Sequence, residues 1–212
     1  ERGKDQFLKE EGVAEDKLRV VVELTLKDLT ADGKISDKDF VDRAELLGTL
    51  GYTVMISNYL KHYKMVDYLS SISKGYALGA IVGIYNLQTI FDESYYENLP
   101  GGILEAFGRG FGRRVKMYVY PANNVETGEL HDLSTLEIKE NLRGLLQYMM
   151  DNGKLEAIQN YDERLLHILS DDVLSKIKAG ASMWEDDVPM EVVKAIKHYE
   201  LFGYAKKDTV KV

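Results

Sequence analysis

Three short segments decide the fold class: YTVMIS (52–57), ALGAIVGI (77–84) and VKMYVY (115–120). Each is rich in β-branched or aromatic residues, a composition typical of β-strands. The first two are apolar with little alternation, which predicts strands covered on both faces. The third alternates between aliphatic and polar or aromatic residues, so we expect it at an edge of the sheet or with one face only partly covered.

Helical patterns lie before and between these segments. Apolar residues recur at helical spacing in 59–72 and at two places in 86–112, and a capping pair opens another helix over 37–50. Because alternating strands and helices are typical of βαβ units, the sequence predicts an open, mostly parallel, Rossmann-like α/β sheet flanked by helices. The stretch LRVVVELTLKDL (18–29) fits either a first strand or a helix.

The remaining segments extend this alternating region at both ends. Residues 1–17 are charged and are expected to form a leading arm, either a short helix or a frayed segment. Residues 18–129 are expected to form the α/β core. Residues 130–204 show no convincing strand and contain a capping-box pair at Ser134 and Glu137, so we predict that residues 130–212 form a helical extension packed on the core.

Composition and charge exclude several classes of protein. Of the 212 residues, 45% are hydrophobic and 29% are charged, which is typical of a globular protein. The formal net charge of -8 opposes binding to nucleic acid or anionic lipid. The chain has no cysteine, which excludes disulfides and thiolate metal sites. No apolar stretch approaches the length of a membrane span, and no signal-peptide pattern is present, so we expect a cytoplasmic protein.

Polar residues follow all three predicted strands. In parallel sheets, ligands bind where the carboxyl ends of the strands meet the following loops. Two of these strands lead directly into helices, whose free N–H groups attract anions. The sequence therefore predicts one pocket for a polar or phosphorylated small molecule, formed by Ser57, Asn58, Tyr59, Gly83, Asn86, Tyr120 and Asn123. The alternative is that the Ser and Asn residues only cap helices.

The segment DLTADGKISDKDF (28–40) has the spacing of a calcium-binding loop. Side-chain oxygen atoms occur at loop positions one, three, five and twelve, which are Asp28, Thr30, Asp32 and Asp39. A glycine occupies position six. This pattern predicts a calcium site. The alternative is an Asp/Gly turn that caps the next helix, because Asp39 is short for a bidentate ligand and no second loop is present.

Histidines give one candidate for a catalytic residue. The four histidines lie far apart, without the spacing of a metal site. His62 follows Asn58 by about one helical turn and could therefore face the predicted pocket. The Gly/Arg run GRGFGRR (108–114) precedes a strand rather than following one, so it indicates the end of a helix more than a phosphate-binding loop.

The chain resembles a family of bacterial proteins in two longer stretches, LGYTVMISNYLKHYKMVDYLS (50–70) and IFDESYYENLPGGILEAFGRGFGRRVKMYVYPA (90–122). Two short segments near the end of the chain, WEDDVP and LFGY, resemble the same family. Some members are labelled nicotinamide or nicotinate mononucleotide adenylyltransferases. Such enzymes use a paired-histidine motif and an ISTT-like motif. Here ISNY (56–59) is the nearest string and His62 has no partner histidine, so no catalytic role is transferred. The resemblance implies a bacterial cytoplasmic α/β protein, or an accessory part of a longer chain.

Two functions follow from these patterns. The first is binding of a nucleotide or phosphometabolite at the predicted pocket, with hydrolysis or group transfer as the reaction if the protein is an enzyme. The second is a non-catalytic interaction module, in which tyrosine-rich helices bind another domain or a second copy of the chain.

Overall fold

The computed structural model describes residues 1–25, 37–59, 61–112, 114–124, 126–181 and 183–204. The chain divides into two compact units, and each is built from two stretches of sequence. Unit 1 comprises Glu1–Leu18 and Tyr59–His167, and unit 2 comprises Arg19–Asn58 and Ile168–Val212. This grouping differs from the predicted division into 1–17, 18–129 and 130–212.

The described residues form a mixed α/β structure with parallel sheets, which confirms the α/β part of the predicted fold class. The helices are α1 Arg2–Glu11, α2 Asp37–Thr49, α3 His62–Ile72, α4 Ile84–Ile90, α5 Gly102–Gly110, α6 Arg143–Asp151, α7 Ser170–Lys178 and α8 Met190–Tyr199. The strands are β1 Val21–Thr25, β2 Thr53–Ser57, β3 Leu78–Gly83, β4 Val115–Tyr120, β5 Ala122–Asn123, β6 Leu130–His131 and β7 Leu155–Ala157. Short 3-10 turns connect several of these elements.

All three predicted strands are confirmed, but they do not form one sheet. In unit 2, β1 and β2 pair in parallel as a two-stranded sheet, so at least Val21–Thr25 of the ambiguous 18–29 stretch is a strand. In unit 1, β3, β4 and β7 form a parallel sheet with β4 in the centre. A Rossmann-like strand order therefore remains a prediction.

The positions of β3 and β4 are the reverse of those predicted. β4 is the central strand of its sheet and is buried on both faces, whereas β3 pairs on one side only within the described part of the chain. The reason is that a helix covers the polar face of β4. Met117 and Val119 point into the main core of unit 1, while Tyr118 on the opposite face packs against Phe7 of α1, with the two ring centroids 6.2 Å apart.

The region from 130 to 204 contains strands that the sequence did not predict. β7 has only three residues, too few to show a periodicity, yet it completes the unit 1 sheet by pairing with β4. β6 forms a small antiparallel pair with β5. The predicted capping box is also wrong, because Ser134 donates its hydroxyl to Asp132 within a turn and the next α-helix, α6, begins only at Arg143.

Unit 2 has its own apolar core. Trp184 is 1% exposed and packs with residues of α7 and α8, so it anchors these helices to one another. Asp42 of α2 is also buried. Its carboxylate accepts a hydrogen bond of 2.5 Å from the backbone N–H of Phe202, whose φ is +57°. A charge-assisted bond of this kind stabilises the left-handed turn after α8.

Helix α1 lies close against the unit 1 sheet because two glycines allow it. A Cβ atom on Gly79 of β3 would lie 2.7 Å from Phe7 Cδ2 and 3.2 Å from Tyr118 Cε2. A Cβ atom on Gly3 of α1 would lie 2.6 Å from Ile81 Cδ1. The aromatic ring of Phe7 is rigid, so the contact at Gly79 leaves less room for adjustment than the contact with the flexible end of Ile81.

We expect Gly79→Ala to lower the free energy of unfolding by about 1–3 kcal/mol, because the added methyl group overlaps the Phe7 ring. Gly108→Ala on α5 is the matched control, since its Cβ would meet no atom within 4 Å. There we expect no loss, or a gain of up to about 1 kcal/mol from helix propensity. Urea denaturation of both variants measures the difference, and equal stabilities would contradict the close packing of α1.

A polar network also holds α1 on the sheet. Glu10 Oε2 accepts hydrogen bonds from Tyr118 Oη at 2.9 Å and from Lys116 Nζ at 3.1 Å, and Lys116 also pairs with Glu11 at 3.1 Å. Burial raises the pKa of Glu10, but the bonds from Gln6, Tyr118 and Lys116 outweigh burial and hold that pKa below its ordinary value. Burial and the Glu10 carboxylate together raise the pKa of the Tyr118 phenol.

The lowered pKa of Glu10 predicts a specific loss of stability in acid. Its contribution is fully present above the ordinary glutamate pKa and disappears as the pH falls through the lowered value. The unfolding free energy of the wild type should therefore fall more steeply between about pH 5 and pH 3 than that of Glu10→Gln. Denaturation curves at several pH values test this, with exposed Glu126→Gln as control. Parallel curves for the wild type and Glu10→Gln would refute it.

Candidate functional site

A carboxylate and two hydroxyl groups converge at the carboxyl end of the β1–β2 sheet. In the parallel register Thr25 lies opposite Ser57, and Glu23 lies two residues earlier on β1, on the same face. Ser57 Oγ donates to Glu23 Oε1 at 2.6 Å. Thr25 Oγ1 is 2.8 Å from Glu23 Oε1 and 2.9 Å from Glu23 Oε2. These three side chains are called the Glu23 site below.

The Glu23 site is partly shielded from solvent. Ser57 is only 8% exposed, and Glu23 and Thr25 are half-buried. An ionised carboxylate is an acceptor only, with about four lone-pair positions, so hydroxyl donors are its natural neighbours. The Glu23 carboxylate, which already accepts from Ser57 and Thr25, is therefore an acceptor for further hydroxyl donors.

Sequence reasoning identified Ser57 but missed Glu23 and Thr25. The signal was present, because Glu23 interrupts an otherwise aliphatic run in VVVEL (20–24). A single acidic residue inside an apolar strand requires a partner or a functional role. Since residues 18–29 fitted a helix as well as a strand, the position of Glu23 at a strand end could not be assigned from the sequence.

The other predicted pocket residues are divided between the two units. Ser57 and exposed Asn58 belong to unit 2. The remaining five, together with His62, belong to unit 1: Tyr59, Gly83, Asn86, Tyr120 and Asn123. The prediction of a common pocket assumed that all three strands shared one sheet, and the strand pairing does not support that assumption.

The carboxyl end of the unit 1 sheet brings together aromatic and polar side chains that the sequence analysis had not named. Tyr85, just after β3, donates its hydroxyl to the backbone oxygen of Asn123 at 3.2 Å, and its ring lies 5.3 Å from the His131 ring. Asn86 is exposed on α4. The backbone N–H of Asn123 donates to the carbonyl oxygen of Leu166, so Asn123 is held through its main chain.

A second group at this end surrounds Tyr120. Its ring lies 6.2 Å from that of Tyr161, and burial and the nearby Asp162 carboxylate raise the pKa of Tyr120. Arg164 donates to both carboxylate oxygens of Asp162, at 3.0 and 2.7 Å. These bonds and the Arg164 N–H lower the pKa of Asp162 to about 2. The carboxylate is therefore engaged within its own turn.

His62 lies at the start of α3, beside a narrow and mainly apolar cavity in unit 1. The other residues that line the cavity include Val66, Ile90, Tyr96 and Phe107. The space accommodates about one water molecule, which is too little for a metabolite. A catalytic role for His62 remains a prediction, and this cavity gives it no room for a substrate.

The calcium prediction falls mainly outside the described residues. Asp28, Thr30 and Asp32 lie outside the described ranges. Asp39 lies on α2, where its Oδ2 is 3.1 Å from Lys178 Nζ of α7. Within the described ranges, no group of three or more His, Asp or Glu residues is placed to hold a metal ion.

Two buried tyrosines line the His62 cavity and differ in whether their hydroxyl group is hydrogen-bonded. Tyr96 Oη donates to the carbonyl oxygen of Ile90 at 2.7 Å. Tyr63 Oη is buried but makes no hydrogen bond to any residue that the structure describes, and burial raises the pKa of Tyr63. An unsatisfied buried hydroxyl costs about 1–3 kcal/mol of stability.

We expect Tyr63→Phe to leave the free energy of unfolding unchanged or to increase it, because it removes that desolvated hydroxyl. In contrast, Tyr96→Phe should lower it by about 1 kcal/mol, because the Ile90 carbonyl loses its donor. Thermal and urea denaturation of the two variants measure this difference. A larger loss for Tyr63→Phe than for Tyr96→Phe would show that Tyr63 Oη has a partner in solution.

Among the described residues, no helix has the length and apolar character that crossing a membrane requires. The sequence matches no protein-family profile, and no curated protein is significantly similar to it.

Proposed function

We propose that the protein binds a nucleotide or phosphometabolite and that the Glu23 site holds its sugar hydroxyl groups. The observation that supports this proposal is the hydrogen bonding of Ser57 and Thr25 to the Glu23 carboxylate at the carboxyl end of two parallel strands. In open α/β sheets this end is the usual ligand site, and a carboxylate there commonly accepts hydrogen bonds from ribose hydroxyls.

The chemistry of Glu23 selects the part of the ligand that can approach. A carboxylate repels a bare phosphate group, but it accepts hydrogen bonds from neighbouring hydroxyls of a sugar. The Ser57 and Thr25 hydroxyls can rotate away from Glu23 and bond the same sugar oxygens. Hydrogen bonds to the sugar therefore replace the hydrogen bonds within the Glu23 site. Binding then leaves few polar groups without a partner. The phosphoryl group of the ligand must point away from Glu23.

If the bound molecule reacts, Glu23 is the proton acceptor that this site offers. In group transfer to the sugar, it would take the proton of a sugar hydroxyl that attacks the phosphorus of a separate phosphoryl donor, while the donor's P–O bond breaks and its leaving group departs. Ser57 would then orient that oxygen through its hydroxyl.

Thermal denaturation with ribose 5-phosphate and with glucose 6-phosphate tests the proposal. A bound ligand at a hundred times its Kd stabilises the folded state by about 2.7 kcal/mol, which raises the melting temperature measurably. We expect at least one compound to stabilise the wild type and to lose its effect in Glu23→Gln and in Ser57→Ala. Glu45→Gln, an exposed carboxylate on α2 of the same unit, is the control and should respond like the wild type.

Two results would contradict this function. The first is a melting temperature that neither sugar phosphate changes in the wild type. Combined with a dimer in solution, that result would favour the alternative of an interaction module. The second is a ligand response that persists undiminished in Glu23→Gln, which would place the binding site elsewhere.

A further inference from the structure

A groove on unit 1 combines aromatic rings with positive charge. It runs along α3 and reaches Arg109 at the end of α5, and its volume is about 410 Å³. This volume lies within the usual range for small-molecule sites. Besides Arg109, the lining residues that matter here are Tyr59, Lys64, Asp67 and Tyr68. This surface is called the α3 groove below.

The close approach of α5 to α3 explains why Arg109 borders the groove. A Cβ atom on Gly110 would lie 3.3 Å from Tyr63 Cβ, so the end of α5 lies directly against the first turn of α3. Arg109 also pairs with Glu105, one helical turn earlier, with Nη2 and Oε1 2.6 Å apart. This ion pair restrains the guanidinium group, and its other N–H donors can bind an anion.

Two tyrosine rings form an aromatic wall of the groove. The centroids of Tyr59 and Tyr68 are 5.7 Å apart and their planes are inclined at 35°. Tyr68 nevertheless remains 45% exposed. Partly exposed tyrosine rings present a π-surface on which any planar ring can stack, and stacking of a base on an aromatic side chain contributes about 1–3 kcal/mol.

The charges in the groove favour an anion. Lys64 and Arg109 supply two positive charges, and Asp67 supplies one negative charge. Glu105 partly offsets Arg109 but does not line the groove. The side chains that line the groove therefore carry one net positive charge, which the Glu105 pair reduces, whereas the whole chain has a net charge of -8. An anionic ligand would therefore be attracted to this part of the surface rather than to the protein in general.

We propose that the α3 groove binds a planar aromatic ring that carries an anionic group, the chemistry of a nucleoside monophosphate. The ring stacks against the Tyr59–Tyr68 wall, and the anion interacts with Arg109 and Lys64. This site goes beyond the function proposed above, because it uses neither Glu23 nor any other residue of unit 2. The two sites can therefore be removed separately.

Calorimetric titration of the full chain with adenosine 5′-monophosphate tests the groove. We expect saturable binding that is roughly tenfold weaker in Tyr68→Ala and in Arg109→Gln, in keeping with the loss of one stacking contact or one charge contact. Tyr68→Phe keeps the ring and should bind like the wild type. The matched control is Tyr148→Ala on α6, which removes a tyrosine that is 60% exposed and does not line the groove.

Partial ligands separate stacking from charge. Adenosine keeps the ring without the anion and inorganic phosphate keeps the anion without the ring, so each should bind at least tenfold more weakly than adenosine 5′-monophosphate. Binding that survives in Glu23→Gln but weakens in Tyr68→Ala supports the α3 groove. The inference is overturned if no saturable binding occurs at millimolar nucleotide, if Tyr68→Ala binds like the wild type, or if only Glu23→Gln loses binding.

Discussion

The unit 1 sheet depends on covering the polar face of its central strand. One face of β4 presents Lys116 and Tyr118, which could not lie in an apolar interior without partners. Helix α1 supplies them, because Glu10 accepts hydrogen bonds from both side chains while Phe7 packs against the Tyr118 ring. With this face covered, β4 can pair with β3 on one side and β7 on the other, and the aliphatic face of β4 can join the main core.

Parallel pairing has a different consequence in unit 2. It brings the carboxyl ends of β1 and β2 to the same edge, so side chains more than thirty residues apart in sequence become neighbours. Glu23 can remain half-buried within an aliphatic strand because Ser57 and Thr25 donate hydrogen bonds to it. The same partners that stabilise the carboxylate also fix its direction, and a fixed acceptor is what recognition of a small hydroxylated molecule requires.

The sequence was sufficient for the local elements and insufficient for their pairing. YTVMIS, ALGAIVGI and VKMYVY are strands, as their content of β-branched and aromatic residues predicted, and α2 and α3 lie within the predicted helical stretches 37–50 and 59–72. The central position of β4 could not be predicted, because it depends on α1, which lies more than a hundred residues away in the chain. β7 has three residues, LEA, and no pattern that would distinguish it from a loop.

The residues of the candidate site were likewise only partly predictable from the sequence. Ser57 was identifiable because it ends a clear strand. Glu23 was not, because its segment fitted two kinds of element and its hydroxyl partner lies on another strand. The common pocket rested on all three strands sharing one sheet, and strand pairing is a property of long-range packing rather than of local composition, so that pocket remains a prediction.

The interleaved make-up of the two units has a consequence for synthesis on the ribosome. Gln6 of α1 bonds the backbone at Ala157 and Gln159, so α1 must wait for about 150 further residues before its binding surface exists. At roughly 5–20 residues per second this delay lasts about 8–30 seconds. Leu46 of α2 likewise packs in a core whose other residues, Val173 among them, lie more than a hundred residues later in the chain. The nascent chain therefore keeps apolar surface exposed until both stretches of each unit have been synthesised, and it should depend on chaperones more than a protein with contiguous domains of the same size.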